Sequence, residues 1–146
     1  MARTVREIMT TNCVTVTPKD NIYEAALKMK QHDIGFIPVV EGKKLIGVCT
    51  DRDLVIRGYA EKHSGSTAIT EVMTADCVTC SPDTTLDQAA ELMADEQIRR
   101  LCIVDNGELV GVCAIGDLAV RDIHVDEAAK ALHEISEPRS DHAVTH

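Results

Sequence analysis

Residues 5–54 read VREIMTTNCVTVTPKDNIYEAALKMKQHDIGFIPVVEGKKLIGVCTDRDL, and residues 69–118 read ITEVMTADCVTCSPDTTLDQAAELMADEQIRRLCIVDNGELVGVCAIGDL. The two stretches align without a gap at an offset of 64, with about a third of the positions identical. The shared residues include Met9/Met73, Cys13/Cys77, Pro18/Pro82, Ala25/Ala89, Met29/Met93, Gly47/Gly111, Cys49/Cys113 and Asp53/Asp117. A repeat this long is a supersecondary unit, and two copies are too few for a solenoid, so they must close on each other.

Each copy carries the same series of local signals. A short helical turn opens it (Val5 to Met9), with Thr4 and Glu7 spaced as a capping box in the first copy. An extended segment follows, Cys13 to Val16 or Cys77 to Cys80, ended by Thr-Pro or Ser-Pro. The main helix starts at Asn21 or Thr85, with Glu24 or Gln88 three residues on as capping partner. Its apolar face is Ile22, Ala25, Ala26, Met29 in one copy and Leu86, Ala89, Ala90, Met93 in the other, the spacing of a helix packed on one side. Two strands come next, Phe36 to Val40 with Leu45 to Cys49, and Leu101 to Val104 with Leu109 to Cys113. They are joined by Glu41-Gly42-Lys43 and Asp105-Asn106-Gly107, turn sequences that mark hairpins. A second helix begins near Thr50 or Ala114.

The order β-α-β-β-α, twice, predicts an α/β fold with repeats at 1–62 and 63–126. A linker spans Tyr59 to Ala68. Residues 127–146 are expected to form a helix (Ala128, Ala129, Leu132, Ile135) and a polar, disordered tail.

Composition narrows the function classes. The chain has 146 residues, 45% of them hydrophobic, enough for a core, yet only 2% are aromatic, so the stacking platforms of single-strand nucleic-acid binders are missing. The net charge of −9 also disfavours a phosphate backbone. Charge is uneven: residues 1–62 hold 10 basic and 8 acidic side chains, residues 63–146 hold 5 and 16. That asymmetry could orient two copies head to tail, or simply reflect a solvated surface. No export signal and no apolar run near ~20 residues is present, which predicts a cytoplasmic protein without a membrane span. In that setting the six cysteines read as reduced, buried, Val-like residues.

The IMT opening, the strand ending in Thr-Pro, the Ala-Ala helix, the IPVV strand and the GVCTDRDL turn into a helix, all in one order and present twice, resemble the CBS (cystathionine beta-synthase) domain family over roughly residues 3–125. The tandem arrangement resembles the pair called a Bateman module. The resemblance implies two repeats packed about a pseudo-twofold axis, clefts that take adenosine derivatives, a homodimer, and regulation rather than catalysis. AMP, ADP or ATP is the implied ligand, with S-adenosylmethionine or NAD as further adenosine compounds. An unidentified protein target is a possible recipient of the signal.

The sharpest local motif is Gly47-Val48-Cys49-Thr50-Asp51-Arg52-Asp53. Glycine permits close backbone approach, and a hydroxyl and a carboxylate at a helix start can bond a phosphate and the ribose hydroxyls. The family resemblance assigns that role to Thr50 and Asp53; the same two residues also read as an N-terminal cap that needs no ligand. The second copy keeps Asp117 but has Ala114 in place of the hydroxyl. Arg99 and Arg100 enter a strand where the family often carries a phosphate-binding base, and strand alternation lets only one face a given cleft. The alternative is that both merely solubilise an acidic half. Arg52 and Arg57 flank the motif as further phosphate candidates, and Val16, Ile37 and Pro38 could line a purine slot or belong to the core.

Two other functions compete with this one. One is a protein-interaction scaffold with vestigial sites, favoured by Ala114. The other is zinc or redox chemistry at Cys77-x-x-Cys80, disfavoured because i and i+3 on a strand point to opposite faces. His124 and His133, on the expected C-terminal helix, lie on roughly opposite faces, and no nucleophile elbow, P-loop or HExxH motif is found.

Overall fold

The computed structural model describes residues 3–119. The expected C-terminal helix and tail, with His124 and His133, lie outside the described residues. In chain order the elements are α1 (Ile22–His32), β1 (Phe36–Glu41), β2 (Lys44–Thr50), α2 (Asp51–Asp53) running into a π-helical turn (Leu54–Tyr59), β3 (Thr79–Cys80), α3 (Leu86–Glu96), β4 (Arg100–Asp105), β5 (Glu108–Ala114) and α4 (Ile115–Ala119). Short 3-10 turns at Val5–Glu7 and Ile69–Glu71 open the two repeats.

Local chemistry accounts for the element boundaries. Asn21 Oδ1 accepts from the Glu24 N–H at 2.8 Å while Glu24 Oε1 accepts from the Asn21 N–H at 2.9 Å. Thr85 and Gln88 repeat the exchange at 3.1 and 3.0 Å. Each pairing satisfies two N–H groups that the first turn of a helix otherwise leaves without partners. Asn21→Ala is therefore expected to lower stability by about 0.5–2 kcal/mol, read as a lower midpoint in urea denaturation. Asn106 and Gly107 both adopt positive φ (53° and 82°), as a type I′ hairpin turn requires; in the first hairpin only Gly42 does (φ 64°).

The five strands form one sheet in the order β1-β2-β5-β4-β3. Both hairpins carry the same register shift, between Val39 and Val40 and between Ile103 and Val104. They meet at a single antiparallel pair, Lys44 with Glu108. Those two positions are equivalent under the 64-residue offset, so the pair lies on the pseudo-twofold axis. The remaining bridges obey the same rule: Thr4–Thr85 maps onto Asn21–Ala68, and Thr10–Val112 onto Val48–Thr74.

These bridges show that each opening turn serves the other repeat. Val5 and Ile8, with Met9 packed alongside, enter the core of Leu86, Ala89, Met93, Leu101, Ile103 and Leu118. Ile69 and Val72, with Met73, enter the core of Val16, Ile22, Met29, Ile37, Val39 and Cys49. Backbone bonds fix both crossings: Val5 N–H to Thr84 C=O (2.9 Å), Thr10 with Val112 (2.9 and 3.0 Å), Ile69 N–H to Asp20 C=O (3.0 Å), and Thr74 with Val48 (2.8 and 2.9 Å). Neither repeat has a complete core without residues contributed by the other.

One expected core position is corrected. Ala26 is exposed, whereas its counterpart Ala90 is 2% exposed in a cluster with Ile115 and Leu118 of α4. The inward stripe of α1 is Ile22, Ala25 and Met29.

Candidate functional site

Thr50 ends β2 and caps α2. Its Oγ1 accepts from the Asp53 N–H at 3.0 Å, and its N–H donates to Asp53 Oδ2 at 3.0 Å. The capping alternative is thus realised. It does not exhaust either side chain: a hydroxyl that accepts one bond keeps its own O–H to donate, and a carboxylate has two oxygens. The Asp53 carboxylate also lies 3.4 Å from the Thr74 hydroxyl, measured to either oxygen. Thr74 belongs to the segment that crosses from the second repeat, so Asp53 stands at the junction of the two repeats.

Gly47 serves that junction as well. A Cβ there would sit 2.8 Å from the Thr74 carbonyl oxygen and 3.0 Å from Met73 Sδ. What approaches the glycine backbone is the chain's own crossing segment, not the empty space for a ligand that the motif had implied. Gly111 is crowded in the same way by Met9 Sδ (2.7 Å) and the Thr10 carbonyl (3.1 Å). Thr74 was missed in the sequence, although its identity with Thr10 across the repeats was a signal that could have marked it.

In the second repeat, Ala114 donates its N–H to Asp117 Oδ2 at 2.8 Å. This is the same cap without a hydroxyl to return the bond. Two further differences break the symmetry. Gly35 opens onto the Asp51 carboxylate, whose Oδ2 would lie 2.8 Å from a Cβ, so a side chain there would have to push that carboxylate aside. The equivalent of Gly35 is Arg99 and the equivalent of Asp51 is Ile115, so the acidic corner of one repeat becomes a basic corner in the other. Arg99 is held by its carbonyl, which accepts from the Ile115 N–H at 2.8 Å. Its Nε is buried and has no hydrogen-bond partner among the described residues. Arg100, opposite Ala114 in the ladder, is exposed.

The other candidates are dispersed. Arg57 donates from Nη1 to the Met73 carbonyl at 3.1 Å, tying down the crossing segment. Arg52 is exposed. Val16 and Ile37 are 1% and 0% exposed, and Pro38 is as deeply buried, all three within the first repeat. A cavity of about 170 Å³ opens elsewhere, between Thr11, Cys13 and Thr15 on one side and Val40, Lys43, Leu109 and Val110 on the other. It is below the ~300–1,000 Å³ of typical small-molecule sites.

The cysteines divide into two groups. Cys49, Cys102 and Cys113 are buried, and burial pushes each thiol up to about 12. Cys13, Cys77 and Cys80 are only half-buried, which corrects the expectation that all six are core, and burial raises their pKa too. Among the described residues no three His, Cys, Asp or Glu side chains converge as metal ligands. No helix among them is long and apolar enough to cross a membrane.

A comparison with known families finds the CBS domain twice, at residues 5–58 and 69–124. The chain belongs to the CBS domain family. As a CBS pair it is a regulatory module. The CBS domain-containing protein YhcV of Bacillus subtilis is 48% identical over 132 residues, covering 90% of this chain and 94% of YhcV. The AcuB protein of Vibrio cholerae superposes with a TM-score of 0.77 at 29% identity, covering 94% of this chain and all of AcuB's. CBSX2, whose structure was solved in complex with AMP, shares the fold with a TM-score of 0.75 at 24% identity, covering 85% of this chain and 98% of CBSX2.

Proposed function

We propose that this CBS pair binds an adenosine-type nucleotide (AMP, ADP or ATP) at the junction of its repeats, with Thr50 and Asp53 gripping the ribose and Arg99 the phosphate, and reports occupancy through the relative orientation of the repeats in a homodimer. The observation that carries this reading is the buried, unpartnered Nε of Arg99. Leaving such a donor unsatisfied costs about 1–3 kcal/mol, which an anionic ligand would recover. The AMP-bound CBSX2 supports the reading from the side of the fold. A ligand spanning Asp53 and Arg99 would touch both repeats, and its effect on their orientation is limited by its differential affinity for the two arrangements. Arg52, Arg57, Arg100 and Asp117 are secondary contacts in this proposal, and the regulated target is a protein bound through the dimer. The module acts in the cytoplasm, and its role is regulatory rather than catalytic.

A thermal-shift panel of AMP, ADP, ATP, S-adenosylmethionine and NAD tests it. A ligand at 100 times its Kd stabilises by about 2.7 kcal/mol, and the expected result is such a shift with at least one adenine nucleotide. Arg99→Met is expected to weaken binding by about tenfold to a hundredfold without lowering the ligand-free melting temperature, because it removes a donor that had no partner.

A second reading is favoured by Ala114 and by the capping role of Thr50 and Asp53: a ligand-independent interaction scaffold. Absence of a shift with every nucleotide, together with a ligand-independent dimer, would establish it instead.

A further inference from the structure

Cys102 is 1% exposed yet belongs to neither repeat's core cluster. Its neighbours Leu101 and Ile103 point into the core of the second repeat, so Cys102 faces the other side of β4. Thr79 pairs with Cys102 across the parallel β3–β4 ladder and shares that side, whereas Cys80 pairs with Ile103 and packs on the core together with Val78. With Val78 and Cys80 turned to the core, alternation turns Cys77 and Thr79 to the face that Cys102 occupies. The electrostatics report the same neighbourhood. Burial pushes the Cys102 thiol up to about 12, and among the nearby thiols Cys77 adds most to that rise, ahead of Cys13 and Cys80.

We propose that Cys77 and Cys102 form an oxidation site, at which a hydroperoxide converts the two thiols to a disulfide that pins the crossing segment of the second repeat to β4. The site stands apart from nucleotide binding and from the Cys77-x-x-Cys80 motif, whose sulfurs lie on opposite faces of β3. Cys13 is the poorer partner, because its S–H donates to the Thr10 carbonyl at 3.2 Å and is held in its own turn. The pair is particular to the second repeat: under the 64-residue offset Cys77 corresponds to Cys13, but Cys102 corresponds to Pro38. Among the described residues no three His, Cys, Asp or Glu side chains converge as metal ligands, which leaves two-thiol chemistry.

Cys77 is half-buried and serves as the entry thiol; burial raises its pKa, its own backbone N–H opposes that rise, and Asp76 adds to it. Its sulfur attacks one peroxide oxygen and the O–O bond breaks. The other oxygen leaves with the thiol proton as an alcohol, or as water from hydrogen peroxide, and Cys77 becomes a sulfenic acid. The Cys102 sulfur then attacks the sulfenic sulfur, an S–S bond replaces the S–O bond, and the hydroxyl departs with the Cys102 proton as water. The two thiols lose two electrons, the hydroperoxide gains them, and a dithiol reverses the link by exchange. Diagonal neighbours on adjacent strands stand roughly 7–8 Å apart, and a disulfide spans about 4.4–6.8 Å between Cα atoms. Cys77 lies just outside β3, after bends at Ala75 and Asp76, where the backbone can close that difference. Closure draws on Thr74, three residues earlier, which is bonded to Val48 of the first repeat at 2.8 and 2.9 Å.

The test treats the reduced full chain with hydrogen peroxide, blocks the remaining thiols with N-ethylmaleimide, and maps unreduced peptides by tandem mass spectrometry. Wild type is expected to lose two of its six free thiols, to show a Cys77–Cys102 cross-link, and to recover fully with dithiothreitol. Cys80→Ser is expected to behave identically. Cys77→Ser, a change at a half-buried position that should leave the circular dichroism spectrum unaltered, is expected to slow loss of the Cys102 thiol at least about tenfold. Cys102→Ala is expected to replace the cross-link by a Cys77 sulfenic acid that dimedone traps. A Cys77–Cys80 or Cys13–Cys102 link in wild type, sulfinic acid without any cross-link, or six intact thiols under conditions that oxidise a free cysteine peptide would each overturn the proposal.

Discussion

Ile69→Ala is expected to lower the stability of the protein by about 2–5 kcal/mol, the range for deleting a large aliphatic side chain from a packed core. Ile69 is 0% exposed and belongs to the same buried cluster as Val16, Ile22, Ile37, Val39, Cys49 and Val72. The location of the damage is as informative as its size. Ile69 opens the second repeat in sequence, yet its partners are in the first, so amide hydrogen exchange should accelerate first in β1 and β2 and later in β4 and β5. Val5→Ala should give the reverse order, since Val5 packs with Leu86, Leu101 and Leu118. Accelerated exchange confined to β4–β5 in the Ile69 variant would show that the opening turns do not cross.

Gly47→Ala is the second large effect, about 1–3 kcal/mol by overpacking and a melting temperature lower by roughly 3–10 °C for a chain of this size. The new methyl would meet the Thr74 carbonyl oxygen at 2.8 Å, and that oxygen is bound into the Val48–Thr74 pair, so the backbone must move. Gly111→Ala is expected to cost less. Its nearest obstacles are Sδ and Cγ of Met9, the end of a flexible side chain that can turn aside. Thermal denaturation of the two variants side by side checks the order, and an unchanged midpoint for Gly47→Ala would mean the crossing segment is not held by close approach. Because Thr74 also contacts Asp53, displacing it is expected to disturb the proposed nucleotide site along with the fold.

The candidate site was legible in part. Thr50, Asp53 and Asp117 were marked by their spacing at a helix start, and all three do cap, because capping is a contest among groups a few residues apart. The contrast between Gly35 with Asp51 and Arg99 with Ile115 was visible as letters but not as a relationship, since it depends on a strand entry lying against a helix start. The purine-slot assignment for Val16, Ile37 and Pro38 rested on apolar character alone, which suits a cleft wall and a core equally; the structure buries them.

The duplication, the hairpins with their turns, the capped helices and the family were determined by sequence, because each arises from patterns within a few residues or from the repeat itself. Tertiary structure alone decided which core each opening turn completes and which stripe of α1 is left bare. Val5–Met9 and Ile69–Met73 present nearly the same apolar pattern, so either core would accept either turn, and only the crossing of chains 64 residues apart selects between them.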